Sequence, residues 1–198
     1  MPRTAQQNQR LKEERRSALL KAARELFARR GLAATKMTDL ATAAGISYGL
    51  VYHYFPDKEA VFLTLVEEAV QGGIQLLTDA RSAPGSPWEQ LHAVCSRMLE
   101  EARENSSFLL ILVQAQACEN LPTEGEQSLA RHTARFLQLL VELIEDGQRA
   151  GQVVDVPAGE LARTFLATVE GLALTRLIKP RSNLPFPSAD TVLRLFEA

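Results

Sequence analysis

Two short helices joined by a tight turn are written into residues 35–62, and no other stretch constrains the fold as much. Leu40 and Ala41 give the first helix a buried edge, and Asp39 in its opening turn suits the positive end of a helix dipole. Gly45 supplies a backbone position open to positive φ, so the chain can turn sharply there. Ile46 plugs the angle between the helices, and Ser47 stands where a hydroxyl can cap the second one. Counted from Ser47, Val51, Tyr54 and Phe55 fall on one face, whereas Tyr48, Gly49, Tyr52 and His53 fall on another. An outward face of two phenols, an imidazole and a glycine suits a helix laid into a DNA major groove, the geometry of helix-turn-helix proteins.

The same residues resemble the signature of the TetR/AcrR family of bacterial transcriptional regulators. The match runs through Leu40 and Ala41, the Ala44-Gly45-Ile46-Ser47 turn, Leu50, Val51, Tyr52, Tyr54 and Phe55, then Lys58 and Glu59. The preceding helix agrees, with Leu19, Leu20, Lys21, Ala22 and Ala23 followed by Leu26, Phe27 and Gly31. Similarity is strong over residues 14–62 and continues only in patches, such as residues 151–155 and 170–172. The resemblance implies an all-α protein with an N-terminal three-helix DNA-binding domain and a C-terminal helical domain for ligand binding and dimerisation. It also implies a homodimer that presents two recognition helices to successive major grooves of a palindromic operator, about 34–36 Å apart. Thr38, Ser47, Tyr48, Gly49, Leu50, Tyr52, His53 and Lys58 are then the expected DNA contacts. Tyr52, His53 and Lys58 match positions that grip phosphates, which positions the protein without specifying sequence. Tyr48 and Gly49 open the helix, where side chains reach base edges; Leu50 either meets a thymine methyl or packs inward. Tyr54 is open between a phosphate contact and the core.

Charge distribution agrees with this orientation. The net charge of −2 alone argues against nucleic acid, but residues 1–58 hold eleven Lys and Arg against five Asp and Glu, leaving −8 for the remainder. A basic end on an acidic body is expected where one end meets phosphate. Apolar residues make up 46% of the chain, ample for a core, and the longest unbroken apolar run, residues 108–113, falls far short of the ~20 residues that cross a bilayer. The first ten residues lack the apolar segment of a signal peptide, and two cysteines, Cys95 and Cys118, make no disulfide framework. A cytoplasmic protein without membrane contact is expected.

Along the chain, residues 1–9 read as a flexible polar arm, 10–56 as the helix-turn-helix domain and 57–198 as the effector and dimerisation domain, about nine helices in all. Helical periodicity predicts a first helix over 10–30, two more near 37–44 and 48–54, and a long fourth helix from an Asp57 cap to about residue 81. Breaks are read at residues 82–87, 121–125 and 180–187. Gly72 and Gly73 interrupt the fourth helix; they are either a hinge that passes effector-driven tilt to the DNA-binding end or a point of close helix approach.

In the larger half, Trp88, His92, Cys95, Met98, Phe108, Leu112, Gln114, Phe136 and Leu140 form an apolar set with few polar handles. That composition fits a cavity for an unknown small-molecule effector and a plain hydrophobic core equally well. His92 and Cys95 lie one turn apart, but a buried cysteine behaving as a small hydrophobe is the default, so neither metal nor cofactor is expected. A stripe of Leu161, Phe165, Thr168, Leu172 and Thr175, with Gly171 allowing close backbones, joins Val192 and Phe196 as the expected dimer interface. No phosphate loop, nucleophile elbow or metalloprotease motif points to an enzyme. A helical DNA-binding or interaction scaffold without a small ligand, and an activator in place of a repressor, stay open as alternatives.

Overall fold

The computed structural model describes residues 5–116, 123–179 and 185–198. Among them the chain forms nine helices: α1 Ala5–Ala34, α2 Met37–Ala44, α3 Tyr48–Tyr54, α4 Lys58–Ser82, α5 Pro87–Glu104, α6 Ser106–Gln116, α7 Thr123–Arg149, α8 Ala158–Ile178 and α9 Ala189–Leu193. An isolated antiparallel bridge between Val153 and Glu197 is the one β-type pairing among the described residues. The fold is all-α, as the periodicity predicts. Residues 1–4 of the expected arm, Cys118, residues 121–122 of the expected break and residues 180–184 of the expected linker lie outside the described residues.

Helix α1 starts at Ala5, five residues before the expected boundary, so residues 5–9 are helix and not loose arm. Two side-chain pairs one turn apart carry it through this polar stretch: the Gln9 amide donates to Glu13 at 2.8 Å, and Arg10 pairs with Glu14 at 2.9 Å. At the other end Gly31 leaves helical geometry with φ 77° and ψ 165°, and the Thr35 hydroxyl donates to its carbonyl at 2.8 Å. Asp57 caps α4 by accepting from the Ala60 amide at 2.7 Å. Ser86 and Glu89 close a reciprocal box at the start of α5, with Pro87 in the first turn. The Ser86 amide donating to the Glu89 carboxylate holds that carboxyl below its ordinary range.

The interior divides into two apolar clusters. The N-terminal one gathers Leu19, Phe27, Leu40, Val51, Phe55, Phe62 and Val66, and takes Ile111 and Ala115 from α6. The C-terminal one gathers Leu77, Leu91, Cys95, Leu140, Leu143, Ile144, Phe165, Val169 and Phe196. Helix α4 threads both, giving residues 61–70 to the first and Leu77 to the second, while Ile74 and Phe136 touch both. Packing therefore does not divide at residue 57. By length and composition α4 could cross a membrane, but its apolar side chains lie inside these clusters. Beyond the glycine pair, Arg81 bonds Glu142 and Asp146 of α7, the latter at 3.2 Å.

Helix α4 runs unbroken through Gly72 and Gly73. A Cβ on Gly73 would lie 2.9 Å from the ring of Phe136 on α7, so this glycine serves the close helix approach. A Cβ on Gly72 would meet nothing within 4 Å.

Candidate nucleic-acid interface

The α2–α3 corner is fixed by backbone chemistry first. Asp39 accepts from the Lys36 amide at 3.0 Å and secures the start of α2. Gly45 ends it in the left-handed region, φ 64°, with its amide reaching back to the carbonyls of Ala41 and Thr42. The Ile46 amide bonds the Ala41 carbonyl at 3.1 Å, and its side chain fills the corner against the N-terminal core. Ser47 occupies the cap position of α3, but its hydroxyl makes no capping bond, contrary to expectation; its extended backbone suffices to offer its carbonyl to Leu50 and Val51. The Ser47 hydroxyl is left on the exposed side.

Val51 and Phe55 pin α3 to the core, both buried, and the guanidinium of Arg16 on α1 lies 5.2 Å from the centre of the Phe55 ring. That anchoring turns Ser47, Tyr48, Gly49, Tyr52 and His53 outward, with Leu50 half-buried between the two sides. Tyr48 and Tyr52 are 50% and 45% exposed, unusual for large rings unless they meet a partner. Their rings stand edge to face at 4.9 Å, and their hydroxyls share a hydrogen bond at 3.0 Å. That bond pushes the Tyr52 phenol above its ordinary pKa. Tyr54 packs half-buried against the core, its ring 5.5 Å from that of His53. Thr38 is exposed on α2.

Lys58 stands half-buried at the start of α4. Its ammonium donates to the carbonyls of Leu32 and Ala33 at 2.8 and 3.1 Å, at the C-terminal end of α1. Gln114, grouped by sequence with the effector set, has a role that grouping did not suggest: its amide nitrogen on α6 donates to the carbonyls of Phe27 and Ala28 at 2.8 and 3.2 Å. The only signal for it was a polar residue directly after an apolar run.

A family model described as bacterial regulatory proteins, tetR family, matches residues 19–65, and a tetracyclin repressor-like C-terminal domain model matches residues 84–174. The chain is 30% identical over 189 residues to the HTH-type transcriptional repressor KstR2 of Rhodococcus jostii, covering 93% of this chain and 88% of that protein. The chain belongs to the TetR family. It is a DNA-binding transcriptional regulator. The HTH-type transcriptional regulator AcrR of Shigella flexneri is 29% identical, with 93% and 89% covered. Two solved structures share the fold: the ketosteroid transcriptional regulator KstR2 of Mycobacterium tuberculosis (TM-score 0.77, 23% identity, 93% of this chain and 95% of that one), and AibR in complex with isovaleryl coenzyme A and operator DNA (0.73, 19%, 91% and 94%).

Among the described residues of this TetR-family regulator, the expected effector residues are spread over both cores. Cys95, Met98 and Leu140 are buried in the C-terminal core, Trp88 packs partly against it, and Leu112 belongs with the N-terminal core. Phe136 bridges the two, and the Phe108 ring receives the Arg24 guanidinium at 4.9 Å. His92 is taken by Asp190, Nε2 to Oδ1 at 3.0 Å, and burial pushes the Cys95 thiol up to about 12. Two open grooves lie beside α1. One is lined by Arg16, Leu20, Arg24, Leu65 and Glu68, the other by Glu25, Arg29, Arg103, Ser107 and Ile178.

The expected dimer stripe is divided among buried, half-buried and exposed residues. Leu161 and Phe165 are buried within the subunit, Phe165 stacking edge to face on Phe196, and Val192 is buried beside them. Thr168 and Leu172 are half-buried. Each step of a helix turns about 100°, so the inward residues Leu161, Phe165, Val169 and Ala173 leave a different row outside. That outer row is Ala167, Gly171, Leu174 and Ile178, with Leu174 45% and Ile178 65% exposed.

Proposed function

We propose that the protein is a homodimeric repressor that holds a palindromic operator through α3 and releases it when a small molecule binds the larger half. The observation that carries this reading is the outer side of α3. Two phenols joined by a hydrogen bond, an imidazole and a bare glycine face solvent from a helix locked to the core by Val51 and Phe55. Rigid anchoring beneath and donors above are what groove readout requires. Tyr48, Gly49 and Ser47 meet the operator at the N-terminal end of the helix; Leu50 contributes its edge. Tyr52 and His53 take backbone phosphates, with Thr38 reaching in from α2.

The second copy docks on the outer row of α8. A helix apolar on its inner and outer faces needs cover on both, and Ala167 and Gly171 let two such helices approach closely. Working on chromosomal DNA, the regulator belongs in the cytoplasm, and it acts by binding and not by catalysis. The complex of AibR with isovaleryl coenzyme A makes acyl coenzyme A thioesters the first effectors to test here. Selection from a random duplex library tests the core of this reading: a twofold-symmetric sequence with half-sites one helical turn apart is expected. Recovery of no enriched sequence, in dilute buffer, overturns it.

A further inference from the structure

The C-terminal end of α1 is held from three directions. Gly31 leaves helical geometry near the end of α1, where the last carbonyls of a helix need donors from beyond it; Leu32 takes one from the Thr35 amide at 3.3 Å. Thr35 supplies its hydroxyl to Gly31 locally. The other two donors come from elements distant in sequence: the Lys58 ammonium on α4 takes Leu32 and Ala33, and the Gln114 amide on α6 takes Phe27 and Ala28. A cation at a helix C-terminus also meets the negative end of its dipole. Gln114 accepts this post at a cost, because its own carbonyl oxygen is buried and has no hydrogen-bond partner among the described residues. Helix α1 in turn carries the recognition corner, through Leu19, Ala23 and Phe27 packed under α2 and α3.

We propose that Lys58 and Gln114 are positioning residues for operator binding: they cap α1 jointly from α4 and α6, and Lys58 acts through this cap and not through DNA phosphate. The claim deepens the repressor reading above and rests on it, since the cap is where the two helices reaching into the larger half grip the DNA-binding core. A tilt of α4 pulls on the carbonyls of Leu32 and Ala33, and a tilt of α6 on those of Phe27 and Ala28, all near one end of α1. Ser107 adds a second tie between α6 and α1, its hydroxyl donating to Glu25 at 2.7 Å.

The test compares Lys58→Met, Lys58→Gln and Gln114→Leu with the wild type, on the duplex recovered by library selection, at several salt concentrations. A lost cap is expected to weaken binding about fivefold for Lys58→Met and Gln114→Leu, with partial rescue in Lys58→Gln, whose amide still donates. The slope of log affinity against log salt is expected to stay that of the wild type in all three. A slope smaller by about one in both Lys58 variants means a lost phosphate contact and overturns the proposal. Wild-type affinity in folded Gln114→Leu overturns it as well. Amide hydrogen exchange reads the cap without DNA: exchange in α2 should quicken in Lys58→Met while α5 is unchanged. Unaltered exchange overturns the cap itself, whereas failure of the wild type to bind any duplex, with α2 exchange quickened, overturns the repressor reading instead.

Discussion

Tyr52 shows how much a single side chain can be asked to do. Its hydroxyl is shared with Tyr48 at 3.0 Å, so each phenol holds the other in place before DNA arrives. Tyr52→Phe is expected to keep the ring contact and lose the phosphate bond, weakening operator binding by about 1–2 kcal/mol in a filter or fluorescence titration. Equal affinity would remove Tyr52 from the interface. Glu170, half-buried on α8, makes the opposite kind of statement. Burial raises its pKa, so the folded protein holds that proton more tightly than the unfolded chain. The contribution of Glu170 to stability is therefore greatest below the ordinary carboxylate range, falls as pH climbs from there through the raised value, and stays lost above it. Glu170→Gln should raise the thermal midpoint at neutral pH and leave it unchanged well into acid; an equal gain at both pH values would mean that charge is not the cause. Of these two residues only Tyr52 was legible in the sequence, because its position on α3 follows from a strong motif. Nothing in the run around Glu170 tells whether a carboxyl there meets water or protein.

Helix α4 carries the next prediction. Its two glycines look alike in sequence, and the structure separates them. Gly72→Ala adds a methyl into open space and removes backbone freedom, a gain of about 1 kcal/mol in a denaturation experiment. Gly73→Ala drives a Cβ toward the Phe136 ring and should be stabilising only if that ring swings away, so we expect a net loss. Two equal gains would refute the close-approach account. The start of α4 was legible because a cap is local chemistry and Asp57 lies next to the boundary; the start of α5 was marked by the break at residues 82–87, without its Ser86–Glu89 box being read. The start of α1 was not, because residues 5–9 carry no apolar periodicity and are helical through polar pairs that periodicity does not count. The outward face of α8 was misread for a related reason. A helix apolar on two sides offers two equally regular stripes, and sequence spacing cannot say which one the subunit buries itself.

At the scale of the whole molecule the same helix decides assembly. Ala167→Glu places a charge in the outer row and should leave the subunit folded but monomeric by sedimentation at micromolar concentration. Leu161→Ala, on the inner row, should cost about 2–4 kcal/mol of stability and leave association intact. If Ala167→Glu remains dimeric, another surface joins the copies. The effector residues could not be placed from sequence because cavity linings and packed cores draw on the same apolar side chains, and only coordinates reveal that Cys95, Leu112 and Phe108 have separate neighbours.

One element spanning both cores has a further meaning. With Phe62 and Val66 in one cluster, Leu77 in the other and Ile111 returning to the first, neither half owns a complete interior. The reading head cannot be cut free as an autonomous module, since severing the chain after α3 strips its underside of α4 and α6 together. Whatever loosens the distal half is thereby felt at the groove, and heat should melt the protomer as one cooperative unit.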